Sequence, residues 1–155
     1  MDWQAMLGES LGLFAALVSL ACVSSVETAL VGISDAHLRE SGVPRSATLE
    51  AMRAWLAAPG PMLASLHLLR ISSVLAAGIL GYRLAVVMGG SAPGVVSVAT
   101  VAVVALVLGH LVPRALAKRH LVPWAFATVR IVLFVSLLLT PVVWPLFVVA
   151  RAVAR

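Results

Sequence analysis

Residues 11–33 carry one formal charge, Glu27, on an otherwise apolar run long enough to cross a hydrocarbon core, which takes ~20 helical residues. Inside a bilayer every backbone N–H and C=O must be satisfied within the protein, and an apolar run this long, about twice the length of a barrel strand, reads as a spanning helix. Two more follow: about residues 62–88, interrupted by His67, Arg70 and Arg83, and about residues 95–113, with no charged side chain before Arg114. With 62% apolar and 11% charged residues among 155, the chain lacks the polar surface that a water-soluble globule needs. It reads as one all-α integral membrane domain over residues 1–155, which excludes soluble enzymes, coiled coils and disordered tails.

The charges orient it. A net charge of +5 raises nucleic acid as a partner, but the basic residues sit at the ends of apolar runs, where they act as orientation signals rather than as a soluble basic face. The bilayer, not nucleic acid, is the expected partner. Acidic Asp2 and Glu9 precede the first run where a cleaved signal peptide would be basic, so a retained helix is expected. Arg39, Arg45 and Arg53 follow that run, the turn at 89–94 is uncharged, and Arg114, Lys118 and Arg119 follow the third. Because Lys and Arg mark the cytoplasmic side, the pattern predicts three crossings of the cell (inner or plasma) membrane, with the N-terminus outside and the C-terminus cytoplasmic. Arg83 fits poorly, since it lands near the outer interface.

Between the first two spans, residues 34–60 read as a cytoplasmic helical segment. Ser46 can cap a short helix whose apolar side is Leu49, Met52 and Leu56, with Trp55 suited to the interface. The final stretch, 121–155, is basic at both flanks and contains Pro123, Pro141 and Pro145, which should break it; it reads as a re-entrant or membrane-surface helical belt. The lone Cys22 allows no disulfide framework and reads as a buried small apolar residue.

Ionisable and hydroxyl groups within spans are few and costly, so they point to function. Ser24, Glu27 and Thr28, spaced i, i+3, i+4, share a helix face and offer the hard oxygen ligands that Mg2+ or Ca2+ accepts. The plainer alternative is that the hydroxyls bond back to their own helix and Glu27 sits near the interface. On the second span Arg70, with His67 one turn before and Ser73 one turn after, needs a counter-charge or a watery cavity. Glu27 is the only carboxylate within these spans, so a Glu27–Arg70 pair is one reading and snorkelling of Arg70 to the cytoplasmic interface is the other. On the third, Pro113 lacks an N–H, which frees the Gly109 carbonyl beside His110. A freed carbonyl at membrane depth takes a cation, a serine or a water. Gly8 and Gly12 form a G-x-x-x-G pair that hints at close helix contact. No phosphate-cradling glycine loop, His-x-x-Glu-His or paired carboxylates appear, so no enzyme is expected.

Ser24-Ser25-Val26-Glu27-Thr28-Ala29-Leu30 resembles the first-helix signature S-G-S-E-T-A-L of the cyclin M (CNNM)/CorC transmembrane domain. Gly109-His110-Leu111-Val112-Pro113-Arg114-Ala115-Leu116-Ala117 resembles its third-helix signature G-E-[IL]-x-P-K-x-[LI]-A, and the proline-rich run holding Pro141, Trp144 and Pro145 also looks like that domain. The resemblance covers nearly the whole chain. It implies three membrane helices, an outside N-terminus, a cytoplasmic juxtamembrane belt and a homodimer, or a heterodimer with a related subunit. It also implies Mg2+ export driven by Na+, with the cation held by a first-helix serine, a second-helix asparagine and groups around the third-helix G-E. Ser24 matches the serine, and Gly109 with Pro113 matches the kink.

The departures fall at the chemistry. The second-helix signature resembles L-L-x-T-x-L-x-G-N-x-x-V-N, but Arg70 stands where the asparagine would be and Leu69 replaces the glycine before it. His110 replaces the glutamate of G-E. Both changes oppose Mg2+ binding, because Mg2+ prefers hard oxygens and negative charge. The family's CBS domains are not within these residues, so nucleotide regulation is not expected from them. Two functions follow as expectations. One is a divergent cation transporter (Mg2+ or Na+ bound transiently as cargo, no resident cofactor) with a path lined by Ser24, Glu27, Ser73, Gly109 and His110. The other is a non-transporting scaffold or partner subunit in which Arg70 occupies the cation site.

Overall fold

The computed structural model describes residues 3–40, 47–88 and 94–153, and every element among them is helical. In chain order these are α1 (Trp3–Gly32), α2 (Asp35–Glu40), α3 (Ala47–Ala57), α4 (Pro59–Val87), α5 (Gly94–Leu106), a π-helical turn (Val107–Leu111), α6 (Val112–Arg119) and α7 (Leu121–Val153). The expected Ser46 cap, Arg45, Arg155 and residues 89–93 of the turn lie outside the described residues. Four helical stretches are long and apolar enough to cross a membrane: Trp3–Gly32, Pro59–Val87, Gly94–Arg119 and Leu121–Pro141. Length and composition thus return four candidates where the charge pattern predicts three crossings.

The last stretch also corrects the expectation of breaks at its prolines. α7 runs unbroken through Pro141 and Pro145. Pro123 falls in its first turn, where the backbone N–H would be unpaired in any case. Each internal proline removes only one ladder bond, and the remainder of a long apolar helix outweighs that loss.

The chain divides into two compact units: residues 1–25 with 69–116, and residues 26–68 with 117–155. In the first, α1 presents Leu20 inward at 3% exposure while Phe14 and Val18 face out, as expected of helices solvated by acyl chains. Gly81 of α4 lies against Val101 of α5 so closely that a Cβ there would collide with the valine side chain. Only Gly12 of the G-x-x-x-G pair sits at a helix contact, a Cβ on it falling 3.2 Å from Leu80; Gly8 meets nothing within 4 Å. Cys22 is exposed rather than buried, since its side of α1 faces away from the packed helices.

In the second unit the amphipathic α3 packs on α7. Leu49, Met52 and Trp55 are buried from α3, while Glu50 and Arg53 point outward. α7 answers with a stripe of Ala125, Val129, Val132, Ser136 and Val143, and it leaves Ile131, Phe134 and Leu138 bare on its other side. The period is that of one buried helical face. Trp55 is not an interfacial anchor: it is 2% exposed, and its indole N–H donates to the Leu30 carbonyl at 3.0 Å. That carbonyl belongs to the last turn of α1, which ends at Gly32 and so has no helical N–H to receive. The indole therefore caps α1.

Candidate functional site

Ser24, Arg70, Ser73, Gly109, His110 and Pro113 all belong to the first unit. Just before Pro113 the regular ladder gives way to a widened turn. The helix opens into a π turn over Val107–Leu111, in which the Val112 N–H reaches back five residues to the Val107 carbonyl. Such turns break the regular ladder and commonly mark functional sites. Gly109 sits buried within it against Leu20, and a Cβ there would come within 2.6 Å of the leucine Cδ2. Any larger residue here would have to push the Leu20 side chain aside.

The widened turn brings His110 to α1. Its Nδ1 lies 3.3 Å from the hydroxyl of Ser24, a residue with 0% exposure. One nitrogen and one oxygen, from two motifs 86 positions apart, thus meet at the kink. Ser73 is buried as well; its hydroxyl donates to the Leu69 carbonyl at 2.9 Å and lies 3.0 Å from the hydroxyl of Ser19. Ser73 thus bonds back to its own helix, and the Ser24 hydroxyl reaches another one. Arg70 and His110 supply the polar lining of a cavity of about 500 Å3 whose walls are otherwise Leu20, Val74, Ala105, Leu106 and similar apolar side chains.

The same unit holds an ion pair that sequence reasoning missed. Arg83 Nη2 lies 2.7 Å from Glu9 Oε1, with the Glu9 side chain 11% exposed. Glu9 lies near the start of α1 and Arg83 near the end of α4. The signal was available: two opposite charges at opposite ends of consecutive antiparallel spans sit at one depth. Arg83, the exception to the charge pattern, answers a buried carboxylate.

Glu27 belongs to the second unit. It is buried, and its Oε1 lies 3.5 Å from His67 Nδ1, with the imidazole half-exposed. Glu27 is thus an inward carboxylate facing a histidine. Beyond it, Ser65 and Ser136 bring their hydroxyls to 3.4 Å between α4 and α7. Among the described residues, no three His, Cys, Asp or Glu side chains converge to hold a metal.

Residues 11–155 match the family model of the cyclin M transmembrane N-terminal domain. The chain belongs to the cyclin M family. No curated protein matches it. Membership makes it a multi-pass membrane protein of a family associated with cation transport. Within this cyclin M domain His110 and Arg70 line the same cavity.

Proposed function

We propose that this cyclin M domain moves Mg2+ across the cell membrane, coupled to Na+, along a path lined by Ser24, Ser73, the Gly109 carbonyl and His110, with Glu27 on the same first helix as the carboxylate. The observation that carries this reading is the Ser24–His110 contact at the π turn, where a hydroxyl, an imidazole and a widened backbone turn meet among apolar side chains. Polar groups are expensive at that depth and need a use. In this reading three helices cross with the N-terminus outside, and α7 lies as a cytoplasmic belt. Its support is that α7 packs on α3, whose outward Glu50 and Arg53 belong at a watery surface. The working form is a dimer, with itself or with a related subunit.

A second reading is favoured by one observation: Arg70 lines the cavity together with His110, so a fixed positive charge stands at the place a cation would need. The domain would then be a partner or scaffold that does not transport. Mg2+-sensitive dye trapped in proteoliposomes separates the two. Transport predicts Mg2+ movement above that of empty vesicles, faster with an opposed Na+ gradient; movement equal to empty vesicles selects the second reading.

A further inference from the structure

Six carboxylate side chains serve the whole sequence and none follows Glu50, so the basic residues of the third span and beyond have no acidic neighbours in their own part of the chain. Three cationic or ionisable side chains stand in a row at Lys118, Arg119 and His120, all exposed. Among the described residues no side-chain hydrogen bond or ion pair engages any of the three. Their position is fixed independently of the number of crossings. The candidate span Gly94–Arg119 ends on them and the candidate span Leu121–Pro141 starts after them. Two apolar helices that meet at a polar turn put that turn at the bilayer surface, whether the second helix then crosses or lies flat. Trp124 completes the set. Its backbone N–H donates to the His120 carbonyl at 3.2 Å, and its side chain is 40% exposed, an amphipathic ring at headgroup depth.

We propose that Lys118, Arg119, His120 and Trp124 form a docking site for an anionic phospholipid of the surrounding leaflet. The phosphate lies against the two cations and the imidazole, and the first acyl segments lie against the indole. Charge complementarity selects this occupant: the patch offers the fixed positive charges of Lys118 and Arg119 beside an imidazole that can donate, and the neighbouring medium is a sheet of phosphodiesters, some with net negative charge. A cationic side chain at an anionic surface gives about a fivefold preference, so two give up to about 25-fold. The cluster then anchors the turn between α6 and α7 and holds α7 at its level in the membrane.

The test uses the full chain in phosphatidylcholine vesicles doped with either dibrominated phosphatidylglycerol or dibrominated phosphatidylcholine. Trp124 quenching is taken as the difference between the parent and Trp124→Phe. The anionic lipid should reach half-quenching at a mole fraction at least fivefold lower than the zwitterionic one. Lys118→Gln with Arg119→Gln should abolish that preference, and Lys118→Arg with Arg119→Lys should keep it. Excess inorganic phosphate should leave it intact, because a phospholipid is held by both its head and its chain; relief by phosphate would replace the lipid with a soluble anion. Equal half-quenching by the two lipids, or a preference that survives in the neutral pair, overturns the site.

Discussion

Arg83→Ala lowers the stability of the folded domain by about 2–3 kcal/mol, and adding Glu9→Gln to the same chain recovers most of that loss. The asymmetry follows from exposure. Glu9 is nine-tenths buried and its Oε2 already lacks a hydrogen-bond partner in the structure, so its charge relies on Arg83 at Oε1. Removing one member of a buried pair costs about 3–5 kcal/mol, because the remaining charge is left uncompensated. Arg83 is itself 62% exposed at the side chain, so water and headgroups can reach the vacated position, which places the expected cost at the low end of that range or below it. Neutralising Glu9 removes the charge that needed compensation. Unfolding titrations in mixed micelles on the parent, the single variants and the double variant close the cycle. A double variant no more stable than Arg83→Ala alone would show that the arginine acts through packing rather than through Glu9.

Arg70→Asn combined with His110→Glu strengthens Mg2+ binding by at least about 100-fold. Both side chains line one cavity, so the two changes remove a positive charge and add a negative one around the same space. A unit charge about 6 Å from a divalent ion is worth about 5 kcal/mol at an effective dielectric of ~20. Dehydration of a small, reluctant ion absorbs most of the combined gain, and a residue of about 3 kcal/mol corresponds to the hundredfold expected. The asparagine also returns a neutral oxygen donor. Isothermal titration with Mg2+ in detergent reads the change directly, with Arg70→Lys as the charge-preserving control that stays at the parent value. An affinity unchanged by the double substitution would place the ion elsewhere than this cavity.

How far the sequence foretold this structure depends on the kind of force involved. Hydrophobic run length located α1, α4 and the α5–α6 helix, because the cost of bare backbone polar groups in hydrocarbon leaves few choices. Pro113 marked where the third helix departs from regularity, since a missing N–H is a covalent fact; the π turn carrying His110 to Ser24 was not legible without the neighbouring helix. The same covalent rule misjudged Pro141 and Pro145, where a long apolar helix absorbs two lost bonds. Pairings across helices were the least legible. Glu9–Arg83 and Glu27–His67 depend on rotation and register, which single-chain spacing does not fix, and Trp55 reads as an interfacial residue until the open end of α1 appears beneath it.

In the proposed transport path the cation passes the Ser24 hydroxyl at the kink. Ser25 provides the matched control: it is the next residue on the same helix, also buried at 6% exposure, and it lies about 100° further round the helix. Mg2+ flux into proteoliposomes, measured side by side for the parent, Ser24→Ala and Ser25→Ala, is the most direct measurement. Ser24→Ala should lose at least about tenfold in flux while Ser25→Ala stays close to the parent; equal flux from the two alanine variants would take Ser24 off the path.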